Sequence, residues 1–279
     1  MILLPLPDKD SLVILNEVIA ERAAGSNAAY FNGLAEEWRA RLVAYIDGKG
    51  SPEHVPTWPQ IQPNKGRFLN LYGTAKKDSS QYPVLKRMRD DHGLNYCPAC
   101  GEPGSPNTLD HYLPKGKYPH FCVTPLNLFP MCDACQDWKD EKTGNAASPR
   151  FFIHPYYDVF VAEQVLNLTI SPPFDAPTFK IGPREGLLPA QEGLVASHIR
   201  ELGLPERFAS FFKNEYLRLL RQVDFLRRKD LGVQDYLQTF QARFANGERN
   251  VWDHVLYSSV LSNDELLDYL TNGELKDYR

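Results

Sequence analysis

Apolar residues recur at helical spacing toward both ends of the chain, and the pattern breaks up in the middle. Residues 10–24 and 26–47 are each predicted to be helical. In the first, Leu12, Leu15 and Ile19 point one way and Asp10 or Ser11 caps the start. In the second, Leu34, Trp38, Leu42 and Tyr45 share a face and Gly48 stops the run, so Trp38 and Tyr45 are expected in the core. Residues 49–66 hold four prolines and little periodicity, which predicts a loop; residues 82–92 predict a short helix. In the last third, Leu194, His198, Ile199 and Leu202 share a face up to Gly203. Pro205 suits the first turn of a following helix whose face carries Phe212, Tyr216, Leu219, Val223 and Leu226. Helices near 232–245 and 251–270 follow.

The middle reads differently. Gly101-Glu-Pro-Gly-Ser-Pro-Asn107 holds turn residues that let the chain reverse. Thr108–Tyr112 predicts a short strand, and Cys132 to Lys142 a helix ended by Gly144. A Pro-rich region with short strands is expected over about 150–190. No internal repeat or low-complexity tract is evident. The expected class is α+β and mostly helical, with an N-terminal helical region (1–96), a small compact module (97–158) and a C-terminal, mainly helical region (159–279).

Composition narrows the function classes. The 279 residues are 43% hydrophobic and 24% charged, as in an ordinary soluble globular protein, and their number suffices for a sizeable core. No apolar run reaches the length of a membrane span, and the apolar N-terminus lacks the basic start of a signal peptide. A cytoplasmic protein is the expectation. The net charge of −4 argues against a simple basic platform for nucleic acid. Local basic clusters stand at Lys86, Arg87 and Arg89 and from Arg218 to Lys229, and such clusters are most often solvated helix faces.

Candidate chemistry concentrates in the middle block. Cys97-Pro-Ala-Cys100 and Cys132-Asp-Ala-Cys135 are two Cys-x-x-Cys pairs separated by 31 residues. Four thiols so spaced point to a Cys₄ zinc site, closed and structural, in a reducing compartment. Cys122, the fifth cysteine, reads as a buried small residue. Between the pairs lie Asp110-His111 and Asn127. A carboxylate is a hard oxygen ligand suited to Mg²⁺, and a neutral imidazole takes a proton from water near neutral pH. Phosphodiester hydrolysis needs these two functions together. An Asn in the Pro125–Pro130 loop is placed to tie the loop backbone and hold His111 in its working rotamer.

This block, Cys97…Cys100-Gly101…Leu109-Asp110-His111…Asn127-Leu-Phe-Pro-Met-Cys132-Asp-Ala-Cys135…Lys139, resembles the HNH endonucleases, the zinc-bearing branch of the ββα-metal (His-Me finger) nucleases. The resemblance implies a ββα-metal module. Asp110 would bind the catalytic metal, His111 would be the general base, and Asn127 would orient the loop. It also implies Mg²⁺ or Mn²⁺ as catalytic cofactor, DNA as substrate, and 5′-phosphate and 3′-hydroxyl ends. The family's last position, usually His or Asn directly after the second cysteine pair, falls on Gln136. Gln136 is therefore one candidate for the second metal ligand, and His154, in Phe152-Ile-His-Pro-Tyr-Tyr-Asp158, is the other.

Leu113-Pro-Lys-Gly-Lys-Tyr-Pro119 and Phe152–Asp158 are further similar to the stand-alone bacterial HNH proteins of Septu-type and retron-linked antiphage cassettes. That similarity implies an ABC-like ATPase partner and makes Lys115, Lys117 and Lys139 candidates for phosphate contact. The expected function is metal-dependent DNA cleavage within a defence complex. The rival expectation is a zinc-stabilised adaptor with a degenerate site, favoured by Gln136, the acidic balance and the long helical flanks.

Overall fold

The structure, a computed structural model, describes residues 1–244 and 247–276. It is α+β and about half helical, with two small antiparallel sheets. Two compact units emerge: Leu4–Pro98 with Gly104–Asp158, and Met1–Leu3 with Ala99–Pro103 and Val159–Arg279.

The first unit opens with α1 (Ser11–Glu21) and α2 (Ala28–Asp47). Asp10 caps α1, its carboxylate accepting from the amides of Leu12 and Val13 at 2.8 and 3.0 Å. That satisfies two of the donors a helix start leaves open. Both α1 and α2 bury apolar faces, and Trp38 and Tyr45 lie in the core as their spacing predicts. Phe31, Trp38 and Phe68 form an aromatic cluster with ring centroids 4.9 to 5.8 Å apart. The Pro-rich stretch after α2 stays irregular but tightens into a 3₁₀ turn over Pro59–Asn64. From it springs α3 (Lys65–Gly73), too short for its periodicity to stand out in the sequence. Helix α4 (Tyr82–Asp90) follows as expected.

Strand β1 (Thr108–His111) pairs antiparallel with β2 (Leu128–Met131), setting Asp110 opposite Phe129 and His111 opposite Leu128. The Pro125–Pro130 segment read as loop thus supplies most of a strand. Its backbone still pairs because Pro130 needs no ladder N–H of its own at the sheet's free edge. Helix α5 (Asp133–Lys139) is shorter than expected. Asp140, at φ 45°, stops it four residues before Gly144.

In the second unit, β3 (Leu166–Ser171) pairs with β4 (Thr178–Pro183). Helices α6 (Pro189–Glu201), α7 (Leu204–Arg228), α8 (Val233–Ala242), α9 (Trp252–Leu261) and α10 (Asp264–Asn272) complete it. Residue 245, the last of the helix expected near 232–245, lies outside the described residues. The single helix expected over 251–270 is two, because Asn263 accepts from the Leu266 amide at 3.0 Å and caps a fresh start. Asn250 is fully buried and satisfies four backbone groups: its oxygen accepts from Val165 and Leu166, and its amide donates to the carbonyls of Val161 and Glu163. Among the described residues no helix is long and apolar enough to cross a membrane.

Burial also sets a pH dependence. His120 is enclosed by Trp58 and Phe121, and burial holds its imidazole down at about 3. The unfolded chain, with histidine near 6.5, binds the proton first, so stability falls as pH drops below about 6.5 and continues falling toward 3. Urea unfolding of His120→Phe is expected to flatten the acid-side slope relative to wild type, by up to about 1.4 kcal/mol per pH unit. An unchanged slope would contradict this. Asn250→Ala strands buried backbone groups and is expected to cost about 3 kcal/mol or more in the same assay.

Candidate active site and metal centre

The four cysteines converge. The sulfurs of Cys97, Cys100, Cys132 and Cys135 all lie within 4.8 Å of one another, and three of the four residues are buried. Such a set can bind a metal ion such as zinc. Tetrahedral Zn²⁺ with bonds of about 2.3 Å sets its sulfurs about 3.8 Å apart, so small rotations of these side chains suffice. The Cys132 amide points at Cys97 Sγ at 3.4 Å, and the Glu102 amide at Cys100 Sγ at 3.4 Å, which suits thiolate acceptors.

The loop after the first pair is held just as firmly. Trp252 donates its indole N–H to the Cys100 carbonyl at 2.7 Å and its amide N–H to the Gly101 carbonyl at 3.0 Å. Nε2 of His198 meets the Ala99 carbonyl at 2.7 Å, and Arg207 reaches Cys100 Sγ at 3.5 Å. Gly101 sits at φ +81°, and a Cβ there would lie 2.2 Å from the Asn250 carbonyl oxygen. Only glycine fits so close a backbone approach. His198, expected on an apolar helix face, is therefore a hydrogen-bonding core residue.

Beside β1 and α5 opens a cavity of about 550 Å³ that takes in Asp110, His111, Lys115, Gln136 and Lys139. The alternation of a strand would send Asp110 and His111 to opposite faces, yet at the end of β1 both line this space. His111 is almost wholly buried, and its Nε2 lies 2.9 Å from the Cys122 carbonyl. A carbonyl only accepts, so Nε2 carries the hydrogen and Nδ1 keeps a lone pair. Burial, with smaller contributions from Lys115 and Lys139, holds the imidazole down at about 4 against the pull of Asp110. It is neutral at neutral pH. Tyr72 of α3 packs edge-on against the ring at 4.7 Å, while its hydroxyl donates to the Leu109 carbonyl at 3.1 Å. No sequence motif marked Tyr72; it lies on the helix that periodicity did not reveal.

Asn127 is fully buried and does what its position suggested for the loop. Its oxygen accepts from the Leu113 amide at 2.8 Å and its amide donates to the carbonyls of Leu113 and Phe121. It ties together the two ends of the segment between β1 and β2. Its link to His111 runs through that backbone, since the ring's own bond goes to Cys122.

Asp110 meets two partners from α5. Its Oδ1 accepts from Gln136 Nε2 at 3.2 Å, and its Oδ2 lies 3.0 Å from Lys139 Nζ. The latter is an ion pair without hydrogen-bond alignment: Oδ2 is buried and has no hydrogen-bond partner. The aligned bond of Lys139 goes to the His111 carbonyl at 2.6 Å. Lys139 is only 2% exposed, so it is not the surface lysine its type suggested. Cys135 and Lys139 stand four apart on α5, and both are buried on the same face. Lys115 is exposed at the cavity's edge, its ammonium 5.6 Å from the Tyr72 ring centroid. Lys117 is exposed but donates to the Glu141 carbonyl at 2.7 Å and does not line the cavity.

His154 is not brought to Asp110's cavity. It is fully buried, its Nδ1 accepts from the Tyr156 amide at 3.2 Å, and its Nε2 lies 3.1 Å from the Tyr45 hydroxyl. With Nδ1 accepting, Nε2 must carry the hydrogen, so neither nitrogen retains a lone pair for a metal. His154 is a packing and hydrogen-bonding residue, and the geometry leaves Gln136 as the second-ligand candidate. Cys122 is buried, as expected of a structural cysteine, with its thiol on the Phe68 carbonyl at 3.0 Å.

The donor set at Asp110 is one carboxylate, paired with Lys139, and the amide of Gln136. Oδ2 is buried and accepts no hydrogen bond, while the Gln136 amide meets the other oxygen, Oδ1; flipped, that amide would present its own oxygen beside Oδ1. Mg²⁺ is commonly held by one or two protein oxygens, the rest being water and phosphate.

Comparison with known proteins adds one partial likeness. Protein ea31 of Escherichia phage lambda is 39% identical over 70 residues, or 24% of this chain and 24% of that protein. The chain thus matches about a quarter of the length of that curated relative. No family model matches the chain. No solved structure matches it.

Purified protein is expected to carry about one Zn²⁺ per chain, and Cys97→Ser or Cys135→Ser to unfold or aggregate it. Metal analysis checks this directly, and a folded, soluble, metal-free protein would contradict it.

Proposed function

We propose that this protein is a metal-dependent endonuclease of the HNH type that hydrolyses phosphodiester bonds in DNA. One observation carries the reading. Asp110 and His111, adjacent on one strand, line a common cavity with the imidazole neutral, its Nε2 fixed on a backbone carbonyl and its Nδ1 left as acceptor. That is the state a general base needs before it takes a proton from water. Zinc at the four cysteines is the structural metal in this reading. It fixes the helix that delivers Gln136 and Lys139.

In the proposed reaction His111 accepts the proton of a water that attacks phosphorus. A divalent cation, Mg²⁺ or Mn²⁺, held by Asp110 and Gln136 would stabilise charge on the phosphate and the leaving oxygen. Asn127 keeps the loop closed behind the base, and Tyr72 fixes the plane of the ring. Lys115 at the cavity's edge is the better placed of the two exposed lysines to meet a flanking phosphate. The near-balanced charge of the chain further supports a second protein, such as an ABC-like ATPase in a defence complex, holding the duplex.

The alternative is a zinc-stabilised adaptor whose site no longer works. The contact of Lys139 with Asp110 favours it, because an ammonium already stands where a cation would bind. Plasmid nicking with Mn²⁺ or Mg²⁺ separates the two. His111→Ala is expected to cut the rate by about two orders of magnitude or more, with zinc content unchanged. Asp110→Ala is expected to abolish metal-dependent cleavage. Gln136→Asn or His is expected to keep activity, and Gln136→Ala to raise the Mn²⁺ concentration needed, while His154→Ala shifts stability and not metal dependence. Cleavage that survives in both His111→Ala and Asp110→Ala would sink the proposal.

The pH profile gives a second test. Because burial keeps His111 unprotonated down to about 4, the rate is expected to show no acid limb near pH 6.5. A limb at about 6.5, the value of an unburied histidine, would show that the base is another residue or that His111 is exposed during turnover.

A further inference from the structure

Helix α3 serves two cavities of the first compact unit. Lys65 and Leu69 line the Asp110 cavity, and Tyr72 packs on the His111 ring. Arg67, Asn70 and Thr74 line a second cavity, of about 380 Å³, together with Arg22 and Lys76. At about 100° per residue the two sets stand on opposite sides of the helix.

The second cavity gathers cations that no carboxylate neutralises. Among the described residues Arg22, Arg67 and Lys76 form no ion pair. Lys86, Arg87, Arg218 and Arg228, from the basic clusters of the sequence, each meet an Asp or Glu. Two acidic residues, Glu21 and Asp78, also line the cavity, so cations lead by one, and the Glu21 carboxylate is already engaged by the amide and hydroxyl of Ser80. The Arg67 guanidinium stands 4.4 Å from the centre of the Tyr30 ring. A planar fork held in that way is ready for two oxygens of one phosphate. Arg22 Nε is buried and has no hydrogen-bond partner. A buried donor left so is uncommon and calls for an acceptor.

The strip of α3 between the two cavities is bare. Gly66 and Gly73, seven apart and both exposed, lie on it. A Cβ at either would meet nothing within 4 Å, and neither has a positive φ, so neither packing nor backbone geometry requires glycine there. Glycine weakens a helix, and its use is explained where a ligand approaches the backbone closely. Resting on the nuclease reading for the occupant, we propose that α3 is a saddle for DNA: the strand whose scissile phosphate lies at Asp110 and His111 crosses Gly66 and Gly73, and a phosphate further along it is held by Arg22, Arg67 and Lys76. A helix is about 10–12 Å across with its side chains, and a duplex strand carries a phosphate every 3.4 Å or so of its axis, so about three nucleotides separate the two points. Contacts of this kind fix position and carry no base preference.

Fluorescence anisotropy of a labelled DNA duplex, titrated with the full chain at several salt concentrations and without divalent metal, tests this in the His111→Ala background. Arg67→Gln with Lys76→Gln is expected to weaken binding severalfold at low salt. It is also expected to lower the slope of log affinity against log salt by about one, the share of one phosphate. Lys76 is exposed, so Lys76→Gln alone carries the test if the loss of Arg67 from Tyr30 disturbs the fold. Lys213→Gln, at an exposed lysine of α7, is expected to change nothing. Gly66→Gln and Gly73→Gln are expected to weaken binding severalfold while raising Tm, because glutamine is the better helix former. Charge variants that bind like their parent, or lose no more than Lys213→Gln does, would overturn the proposal. So would glycine variants that gain Tm and keep full affinity. Plasmid nicking by the unsubstituted chain reports on the nuclease reading by itself. If it cuts while the variants bind like their parent, only the saddle falls; if it never cuts yet the variants lose affinity, the grip on DNA stands and the nuclease reading falls.

Discussion

Four thiols within bonding reach of a single ion set the terms for everything around them. Ionised sulfurs this close repel one another unless a cation sits between them, and neutral thiols would gain little from meeting. Cys97, Cys100, Cys132 and Cys135, brought this close, could bind a metal ion such as zinc, and their surroundings suit thiolates. Backbone amides point at Cys97 and Cys100, and Arg207 adds a guanidinium at Cys100. Helix α5 is only seven residues long and would be marginal in isolation. A metal ion on Cys132 and Cys135 would anchor its start. Gln136 and Lys139 project from that helix to Asp110, at 3.2 and 3.0 Å.

From this anchor the candidate site follows by short steps. The β1–β2 pair fixes where Asp110 and His111 emerge, and Asn127 closes the segment between them. The Cys122 carbonyl selects the tautomer of His111, and burial keeps the ring uncharged. Each step uses a buried polar group that is satisfied by backbone, which is what holds a side chain in one rotamer without help from a ligand. The exception is Asp110 Oδ2, buried beside a cation yet without a hydrogen bond. An unsatisfied acceptor at that point is a reason to look for chemistry there.

Much of this was legible in the sequence because its chemistry is written as spacing. Two Cys-x-x-Cys pairs named the four converging thiols, and helical periodicity found α1, α2, α6 and α7 with their buried faces. Position alone suggested the loop-tying role of Asn127. What stayed hidden depends on contacts that no local pattern encodes. Lys139 reads as surface because its type almost always is; only its place four residues after Cys135, on the same face, hinted otherwise. His154 looked available as a ligand, and its withdrawal rests on a tautomer set by Tyr45 and Tyr156. Tyr72 belongs to a helix that begins at the end of a Pro-rich loop, where periodicity is too short to register. The break between α9 and α10 turns on one capping side chain, Asn263.

The likeness to a quarter of protein ea31 of Escherichia phage lambda carries no activity with it, so the account rests on the site. Its central claim is that Asp110 holds a divalent cation within reach of a neutral His111. Crystals of the protein grown with a DNA oligonucleotide and Mn²⁺, measured at the manganese and zinc absorption edges, test that claim most directly. The account predicts a zinc peak among the four cysteines and a separate manganese peak on the Asp110 carboxylate, beside a phosphate and on the Nδ1 side of His111. A map with zinc in place and no manganese at Asp110, with Lys139 still paired to the carboxylate, would contradict it.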